Sequence, residues 1–482
     1  MIAKHSSTPT SHPKSKIQNP KPLSLLWIKS GAGLLHPLDT GGKKRTHAML
    51  REISRHHRVD YLALRRPDEN PSREELDDPY AASKEWIAWT ETDRGTLPFY
   101  AELLWNRLLS TKPYSLTKYV HRPMQRRIRE LVHTRSYDLV ICDYLYPVLN
   151  VLGQTGNVPT ILFQHNTEAQ IWERLASTQT NALSRWYFRG QHRRMAQWER
   201  RLCGRFDGVI TVSPDDSKIA QERYGLSNVL GDVPGGVDFD FFSPGPAEER
   251  DPNRIAFLGS MDWIPNVEGV HWFHREVLPL LRRDRPDLKL VVIGRKPAES
   301  LRRLAAEDPA VELTGTVDDV RDWVQRCSVL VVPLLSGSGT RIKILEAMAM
   351  GIPIVSTTVG AEGLGLASGT HLLLADDPES FARATAQLLD AASLRHQLAA
   401  TARAHVVEHN GWDRAAQIFI DLCQSAPPPR FVTPSKIQNP KSKIQNPKSR
   451  SSPCSGTSTQ SSPVPQNDFV ATLLGWRSGA SI

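Results

Sequence analysis

The residues best suited to chemistry lie between Leu334 and Gly363, in a run that reads LLSGSGTRIKILEAMAMGIPIVSTTVGAEG. This run passes from the end of an apolar strand, through a loop of small residues, into a helix that should begin near Thr340. The loop comprises Ser336, Gly337, Ser338, Gly339 and Thr340. Small side chains let backbone N–H groups approach an anion closely, and the helix directs its positive end to the same place. The spacing therefore predicts a phosphate-binding loop.

Three charged residues on the predicted helix extend this site. Arg341 and Lys343 bring positive charge to the loop, and Glu346 follows within about two helical turns. A carboxylate repels phosphate but accepts hydrogen bonds from two hydroxyl groups, such as those of a ribose. The set therefore indicates a sugar-nucleotide site. The alternative is a ligand-free glycine turn, with both cations on a solvated helix face and Glu346 as their ion-pair partner.

Length, charge and cysteine content limit the class of protein. The 482 residues suffice for two or three domains, and the formal net charge of +9 indicates an anionic partner: nucleic acid, anionic lipid or a phosphorylated substrate. The five cysteines are Cys142, Cys203, Cys327, Cys423 and Cys454. Because no two of them have C-x-x-C spacing, they argue against a structural zinc site and indicate a reducing compartment. The sequence contains no run of ~18 apolar residues, so it predicts no transmembrane helix. We therefore expect a cytoplasmic protein, with peripheral attachment to the inner face of the plasma membrane as the alternative.

Both ends of the chain have an unusual composition. The heptad SKIQNPK occurs at residues 15–21 and twice in tandem at residues 435–448. Its proline and lysine content cannot form a core, so residues 1–21 and 426–482 are predicted to be disordered, low-complexity tails. Translated repetitive DNA is our hypothesis for the identical copies, and loss of activity after trimming would contradict it.

Between the tails, apolar strand patterns alternate with helical patterns. A first strand is predicted at residues 23–28, a polar and mostly helical region at 66–136, and one long amphipathic helix at 167–202. Repeated βα units predict parallel sheets covered by helices on both faces, so the expected class is α/β.

A hinge divides this α/β region. The segment Val233–Val237 contains one proline and two glycines. It predicts a first domain at residues 22–235 and a second at residues 236–410, with a cleft between them. Open α/β sheets bind ligands at the carboxyl ends of their strands, which places the ligand in that cleft. A last helix at residues 411–425 is predicted to pack back on the first domain.

Several separated motifs occur in one order along residues 22–425. They are Pro37–Gly42, Gln164–Glu168, Asp207–Ser213, Gly235–Asp238, Phe257–Asp262 with Pro265 and Asn266, Val292–Gly294, Thr314–Asp319 and Val331–Gly363. In this order and spacing the chain resembles family 4 glycosyltransferases of the GT-B fold, glycosyl transferases group 1. That fold has two Rossmann-like parallel-sheet domains facing a cleft. The nearest subgroup is the transferases of exopolysaccharide assembly.

The resemblance implies a function. The family transfers a sugar, with retention of configuration, from a nucleotide-sugar donor to a hydroxyl acceptor, without a bound metal or another cofactor. A sugar or a lipid-linked glycan would be the acceptor, and no recognised motif supports a nucleic-acid partner. The nucleotide, the sugar and the linkage are not identified by the sequence.

The resemblance also assigns roles to individual residues. Glu346 matches the glutamate that binds the donor ribose, and His165 matches a histidine that contacts the transferred sugar. Gly41 and Gly42 would let their loop approach the donor phosphate or the acceptor. The alternatives are a capping or packed histidine and an ordinary tight turn.

The donor base would be read by a separate loop. Thr316 and Val317 match positions near the base, where backbone atoms would read it. The alternative is a plain strand-to-helix loop.

The chain departs from the family pattern at two places. The family has a glutamate eight residues before the one that Glu346 matches, but Ser338 stands there. Its usual basic pair is also missing, since Ser260 and Asn266 occupy those positions. Arg341 and Lys343 are therefore our candidates for binding the diphosphate. The missing glutamate also motivates an alternative, a catalytically silent scaffold or regulator of a polysaccharide complex. A sugar-nucleotide epimerase of the same fold is a further alternative.

Two basic stretches are unexplained by this site. Residues 121–135 and 185–205 both interleave arginine with apolar residues at helical spacing. Each is either a solvated helix face over a core or a surface for anionic lipid headgroups.

Overall fold

The computed structural model describes residues 21–31, 33–93, 96–178, 181–245, 250–336 and 341–428. Residues 1–20 and 429–482, which make up nearly all of both predicted tails, lie outside the described residues. So do Gly337, Ser338, Gly339 and Thr340 of the predicted phosphate loop.

The described residues form thirteen strands. They are β1 Ser24–Lys29, β2 Arg58–Arg65, β3 Ser83–Ala88, β4 Leu139–Asp143, β5 Thr160–Phe163, β6 Gly208–Thr211, β7 Val229–Asp232, β8 Asp251–Leu258, β9 Lys289–Ile293, β10 Val311–Gly315, β11 Cys327–Val332, β12 Ile354–Ser356 and β13 Leu373–Leu374. They make a seven-stranded sheet in the order β3-β2-β1-β4-β5-β6-β7 and a six-stranded sheet in the order β10-β9-β8-β11-β12-β13. Every pairing between these strands is parallel. The predicted α/β class with two parallel sheets is confirmed.

Helices connect the strands and cover the sheets. They are α1 Gly41–Ser54, α2 Arg73–Asp77, α3 Leu97–Leu109, α4 Tyr114–Thr117, α5 Arg122–Thr134, α6 Val148–Val151, α7 Glu168–Thr178, α8 Ala182–Cys203, α9 Pro214–Lys218, α10 Ile264–Trp272, α11 Leu278–Arg282, α12 Glu299–Glu307, α13 Arg321–Val324, α14 Ile342–Ala349, α15 Pro378–Asp390, α16 Ala392–His409 and α17 Trp412–Gln424. Two π-helical turns, Ile219–Arg223 and Phe273–Val277, continue α9 and α10. In the part of the chain that the structure describes, no helix combines the length and the hydropathy that crossing a bilayer requires.

The central strands of the first sheet, β1, β4, β5 and β6, are mostly apolar and are buried on both faces, whereas the edge strands β3 and β7 are half-buried. Along β1, Leu26 and Ile28 join the core on one face, while Leu25 and Trp27 join the core on the other. The second sheet has a single core of its own. The carboxyl ends of the strands in each sheet therefore present the loops that can carry a site.

Helix α17 belongs to the second half in sequence but packs on the first sheet. The ring of Phe419 lies 5.5 Å from that of Trp27 and 5.0 Å from that of Phe163, measured between centroids. The chain reaches this position through a bridge between Val237 and Gly411, close to the predicted hinge.

Two predicted elements need correction. The single helix predicted at residues 167–202 is two helices, α7 and α8, which pack against each other. Thr178 and Asn181, both poor helix formers, flank the break. The mostly helical region at 66–136 also contains β3, an edge strand. The helix expected to begin near Thr340 is close to its expected place, with Ile342 as its first residue in the described chain and Arg341 at the cap position.

Candidate active site

Arg341 stands at the cap position of α14 and is buried. Its Nη2 atom donates a hydrogen bond to the carbonyl oxygen of Val359, at 3.2 Å. Burial lowers the pKa of Arg341 to about 10, although the carboxylate of Glu362 acts in the opposite direction. The guanidinium is therefore a cation held in place, rather than the mobile charge that the sequence suggested.

Lys343 lies one residue into α14 and reaches towards the loop after β8. Its Nζ atom donates to Asn266 Oδ1 at 2.9 Å and lies 4.7 Å from the centroid of the Phe257 ring. Asn266 Nδ2 in turn donates to the carbonyl oxygen of Ser260 at 2.8 Å. Lys343 of α14 thus brings an ammonium group beside Ser260 and Asn266, where the resemblance led us to expect a basic pair. Burial and the nearby Arg341 lower the pKa of Lys343 to about 7.

Glu346 is buried and bonded across the cleft. Its Oε1 atom accepts a hydrogen bond from Lys44 Nζ of α1 at 2.7 Å. The described ion pair of Glu346 is therefore with Lys44 of the first half, whereas the alternative interpretation expected Arg341 or Lys343 as its partner. The contact also brings the amino-terminal ends of α1 and α14 together.

Gly41 and Gly42 form the first turn of α1, which Thr40 caps by accepting a hydrogen bond from the N–H of Lys43 at 3.3 Å. A Cβ atom on Gly41 would lie 3.8 Å from Ile342 Cδ1, an ordinary contact across the cleft. A Cβ atom on Gly42 would lie only 2.1 Å from the phenol oxygen of Tyr144. The second glycine is therefore required by a close approach, whereas the first is not.

His165 follows β5 and is buried beside the carboxyl end of β4. Its ring stacks on Tyr144, with centroids 3.9 Å apart, and its Nε2 atom lies 2.8 Å from Asp143 Oδ1. Burial lowers the pKa of His165 to about 4, although Asp143 opposes the shift. The imidazole is therefore neutral at physiological pH.

Asp143 organises the residues around His165. Its Oδ2 atom accepts hydrogen bonds from Trp27 Nε1 at 3.0 Å, Lys29 Nζ at 3.0 Å and Thr46 Oγ1 at 2.8 Å. Burial alone would raise the pKa of Asp143, but Lys29 and His165 outweigh it and hold that pKa well below its usual range. A charged carboxylate thus holds the surrounding side chains in place at the carboxyl ends of β1 and β4.

Two further contacts join the halves of the molecule. Arg174 Nη2 donates to both carboxylate oxygens of Glu362, at 2.8 and 2.7 Å. Arg295 lies 3.5 Å from Asp39 in the loop before α1. Ion pairs therefore connect the two halves at more than one place.

Thr316 and Val317 follow β10, the edge strand of the second sheet. Thr316 is exposed, and Val317 is half-buried against the core of the second half. Gly315 directly before them has a φ of +70°, which turns the chain sharply at the end of the strand. None of the described contacts joins this loop to Arg341 or Lys343.

Sequence reasoning did not identify Lys44, Asp143, Tyr144, Arg174 or Glu362. Asp143 carried a usable signal, because it is a carboxylate at the carboxyl end of β4, an apolar strand in the middle of the first sheet. Lys44 and Glu346 are 302 residues apart, and no local spacing links them.

Comparison with known proteins supports this architecture. Residues 40–241 match the family model described as Glycosyltransferase Family 4, and residues 252–391 match the model described as Glycosyl transferases group 1. The chain is 24% identical over 267 residues to a 44.6 kDa uncharacterized protein in the cps region of Klebsiella pneumoniae. That match covers 53% of this chain and 66% of the relative, slightly less than two thirds of its length.

A second relative and a solved structure are also similar to this chain. The D-inositol 3-phosphate glycosyltransferase of Corynebacterium urealyticum is 24% identical over 326 residues, covering 61% of this chain and 73% of the relative. The crystal structure of Anabaena HepE in complex with UDP and glucose superposes with a TM-score of 0.57 at 11% identity. It covers 84% of this chain and all of that one, which shows the shared fold. The chain is therefore a glycosyltransferase of family 4, with the GT-B fold.

Proposed function

We propose that this enzyme transfers a sugar from a nucleotide-sugar donor to a hydroxyl acceptor, with retention of configuration and without a bound metal. We also propose that it acts in the assembly of exopolysaccharide or another cell-surface glycan. The similar structure that contains UDP and glucose supports the nucleotide-sugar donor. The similar protein of a cps region supports the role in cell-surface glycan assembly.

The observation that carries the proposal is the convergence of cations at the start of α14. Arg341 and the Nζ atom of Lys343 come from one end of one helix, and the amino terminus of α1 faces them across the cleft. Helix amino termini and buried cations stabilise phosphate charge. In our proposal they hold the diphosphate, and Glu346 accepts hydrogen bonds from the ribose once Lys44 moves aside.

The same groups would promote the reaction. As the bond from the anomeric carbon to the β-phosphate oxygen breaks, negative charge grows on the phosphate. Preorganised cations and N–H groups stabilise that charge more in the transition state than in the ground state. The acceptor oxygen bonds to the anomeric carbon on the same face, and its proton passes to the departing phosphate. This proton transfer needs no protein base.

His165 would orient the transferred sugar. Asp143 faces its Nε2 atom, which favours the tautomer with a proton on Nε2 and leaves Nδ1 as a hydrogen-bond acceptor. With a pKa of about 4 the ring stays uncharged, so it adds no positive charge near the developing oxocarbenium ion. We therefore assign it a positioning contact to a sugar hydroxyl.

A donor screen tests the proposal. The protein is incubated with UDP-, GDP-, ADP- and TDP-sugars, and thermal stability and diphosphate release are measured with added Mg²⁺ or with EDTA. We expect one nucleotide class to stabilise the protein and to be hydrolysed slowly at an EDTA-insensitive rate. Arg341→Ala should lose at least tenfold in donor affinity, whereas Arg383→Ala, an exposed arginine on α15, should not. A folded protein that none of the donors stabilises would refute the proposal.

We further propose that the acceptor is presented at an anionic membrane surface. Helix α3 exposes four large apolar residues on one face: Leu97, Leu104, Trp105 and Leu109. Helix α8 contacts the loop that follows α3, because Trp198 Nε1 donates to the carbonyl oxygen of Thr111 at 2.8 Å. Its groove of about 380 Å³ is lined by Trp186 and three arginines, Arg185, Arg189 and Arg193. Apolar side chains flanked by arginine suit anionic headgroups.

Vesicle sedimentation tests this surface. The variant Leu104→Ser/Trp105→Ser should lose binding to phosphatidylglycerol vesicles, because it removes two apolar side chains that would insert. Val407→Ser removes an exposed apolar residue from the second half and should bind as the wild type does. Equal sedimentation of all three proteins would contradict the proposal.

A further inference from the structure

A cluster of two histidines and one aspartate lies in the first half, apart from the residues assigned above. His36 belongs to the loop between β1 and α1, His47 to the second turn of α1, and Asp78 follows α2. The Nε2 atoms of His36 and His47 lie 2.8 and 2.5 Å from the same oxygen, Asp78 Oδ2. The three possible ligand atoms all lie within 4.8 Å of one another.

The surroundings of the cluster are those of a coordination site. The side chains of His36 and His47 are 6% and 8% exposed, and that of Asp78 is 13% exposed. The other ring nitrogen of His36, Nδ1, lies 3.2 Å from Glu74 Oε1. A carboxylate on the far nitrogen orients a histidine so that its near nitrogen points at a metal.

Neighbouring contacts make the cluster rigid. Lys84 Nζ donates hydrogen bonds to the carbonyl oxygens of Glu75, Leu76 and Asp78, which fixes the end of α2. The N–H of His36 donates to Glu75 Oε2 at 2.6 Å. The ligand atoms are therefore held together before any ion arrives.

We propose that His36, His47 and Asp78 bind one Zn²⁺ ion, with water as the fourth ligand. Two imidazoles and a carboxylate form a donor set that suits zinc. In a tetrahedral zinc site, bonds of about 2.0–2.1 Å place neighbouring ligand atoms about 3.3 Å apart. The two distances from Asp78 Oδ2 to the histidine nitrogens are shorter than this, at 2.8 and 2.5 Å, so the Asp78 carboxylate must move back to admit the ion.

The ion would keep one open coordination position, held by water. It would tie the loop before α1, which carries Asp39 and Thr40, to α1 itself and to the end of α2. Its three ligands are not among the residues assigned to the donor, so zinc binding is measured directly and not through sugar transfer. The absence of paired cysteines, which argued against zinc in the sequence, does not address a site built from histidines.

Metal titration of the full chain, prepared without a histidine tag and stripped with EDTA, tests the proposal. Calorimetry with ZnCl₂ should give one equivalent per chain, and Co²⁺ should give the visible absorption of a tetrahedral site. His47→Gln and Asp78→Asn should each weaken zinc affinity at least tenfold, and Glu74→Gln about tenfold. His409→Gln is the matched control, because it removes a histidine from the cluster of His371, His405 and His409 in the second half.

Three outcomes would overturn the proposal. The first is a folded wild-type protein that takes up no stoichiometric zinc. The second is zinc binding that survives His47→Gln and Asp78→Asn but disappears in His409→Gln, which would move the ion to the other cluster. The third is a Co²⁺ complex of the wild type without tetrahedral absorption, a result that holds even where a variant fails to fold.

Discussion

Lys343 is the residue that we propose for a role the resemblance led us to expect at Ser260 and Asn266. Its Nζ atom donates a hydrogen bond to Asn266 Oδ1. Because the site around it is buried and already contains Arg341, the ammonium group is close to its titration point near neutral pH. A group in that state responds strongly to an incoming anion.

We therefore predict that donor affinity falls as pH rises above about 7. Lys343 is cationic below its pKa of about 7, and a bound diphosphate raises that pKa. Binding consequently takes up a proton above pH 7 and weakens by up to about tenfold per pH unit. Calorimetric titration of a nucleotide-sugar between about pH 6 and pH 9 measures the effect. Lys343→Arg should give a flat profile, and a wild-type slope in that variant would exclude Lys343 as its source.

At the scale of elements, the first turn of α1 is the most constrained part of the site. Gly42 faces Tyr144, Tyr144 stacks on His165, and Lys29 Nζ lies 4.3 Å from the centroid of the Tyr144 ring. Tyr144 itself has a φ of +71°, an uncommon conformation for a residue with a side chain. A substitution in the first turn of α1 is therefore expected to move Tyr144, which follows β4, and the His165 ring stacked on it.

Adjacent glycines provide a matched pair of variants for this transmission. Gly42→Ala should destabilise the protein by about 1–3 kcal/mol, because its methyl group must displace the Tyr144 phenol. It should also slow sugar transfer, because a displaced Tyr144 ring would disturb His165, on which it stacks. Gly41→Ala should change the free energy of unfolding by no more than about 0.5 kcal/mol, or stabilise slightly, since its methyl group meets only Ile342 at contact distance. Urea denaturation compares the two, and equal losses in both would contradict the proposed contact.

The elements themselves were predictable where a pattern is local. The βα alternation and the start of α14 can be read from neighbouring residues, and the structure has them close to the expected places. Strand β3, whose sequence is SKEWIA, lacks an apolar run because it is a half-buried edge strand, so periodicity did not reveal it. The partners of Asp143, Glu346 and Glu362 depend on packing between distant segments, and no sequence spacing encodes those contacts.

At the scale of the whole molecule, ion pairs across the cleft set the relation of the two halves. Arg174 of α7 and Glu362 of the second half form two hydrogen bonds, and Glu362 also lies in the electrostatic surroundings of Arg341. Separating the two halves would break these contacts. The pair therefore favours the arrangement of the two halves described here.

Charge reversal should test this coupling. Arg174→Glu should raise the KM for the donor about fivefold to tenfold, because two like charges then face each other across the cleft. Adding Glu362→Arg should restore most of the loss. Arg223→Glu is the control, because Arg223 pairs with Glu173 on the same helix as Arg174 but within the first half. Steady-state kinetics that show no recovery in the double variant would rule out the pair as the link.

Because α17 is synthesised last, the first sheet stays partly uncovered during synthesis of the chain. The ribosome completes the strands of the first sheet long before it reaches Phe419, the residue that covers Trp27 and Phe163. Until that helix emerges, the oldest part of the nascent chain keeps an apolar face open to aggregation. A premature stop codon before Trp412 would thus damage the half that was synthesised first and leave the half beside the break with its own core intact.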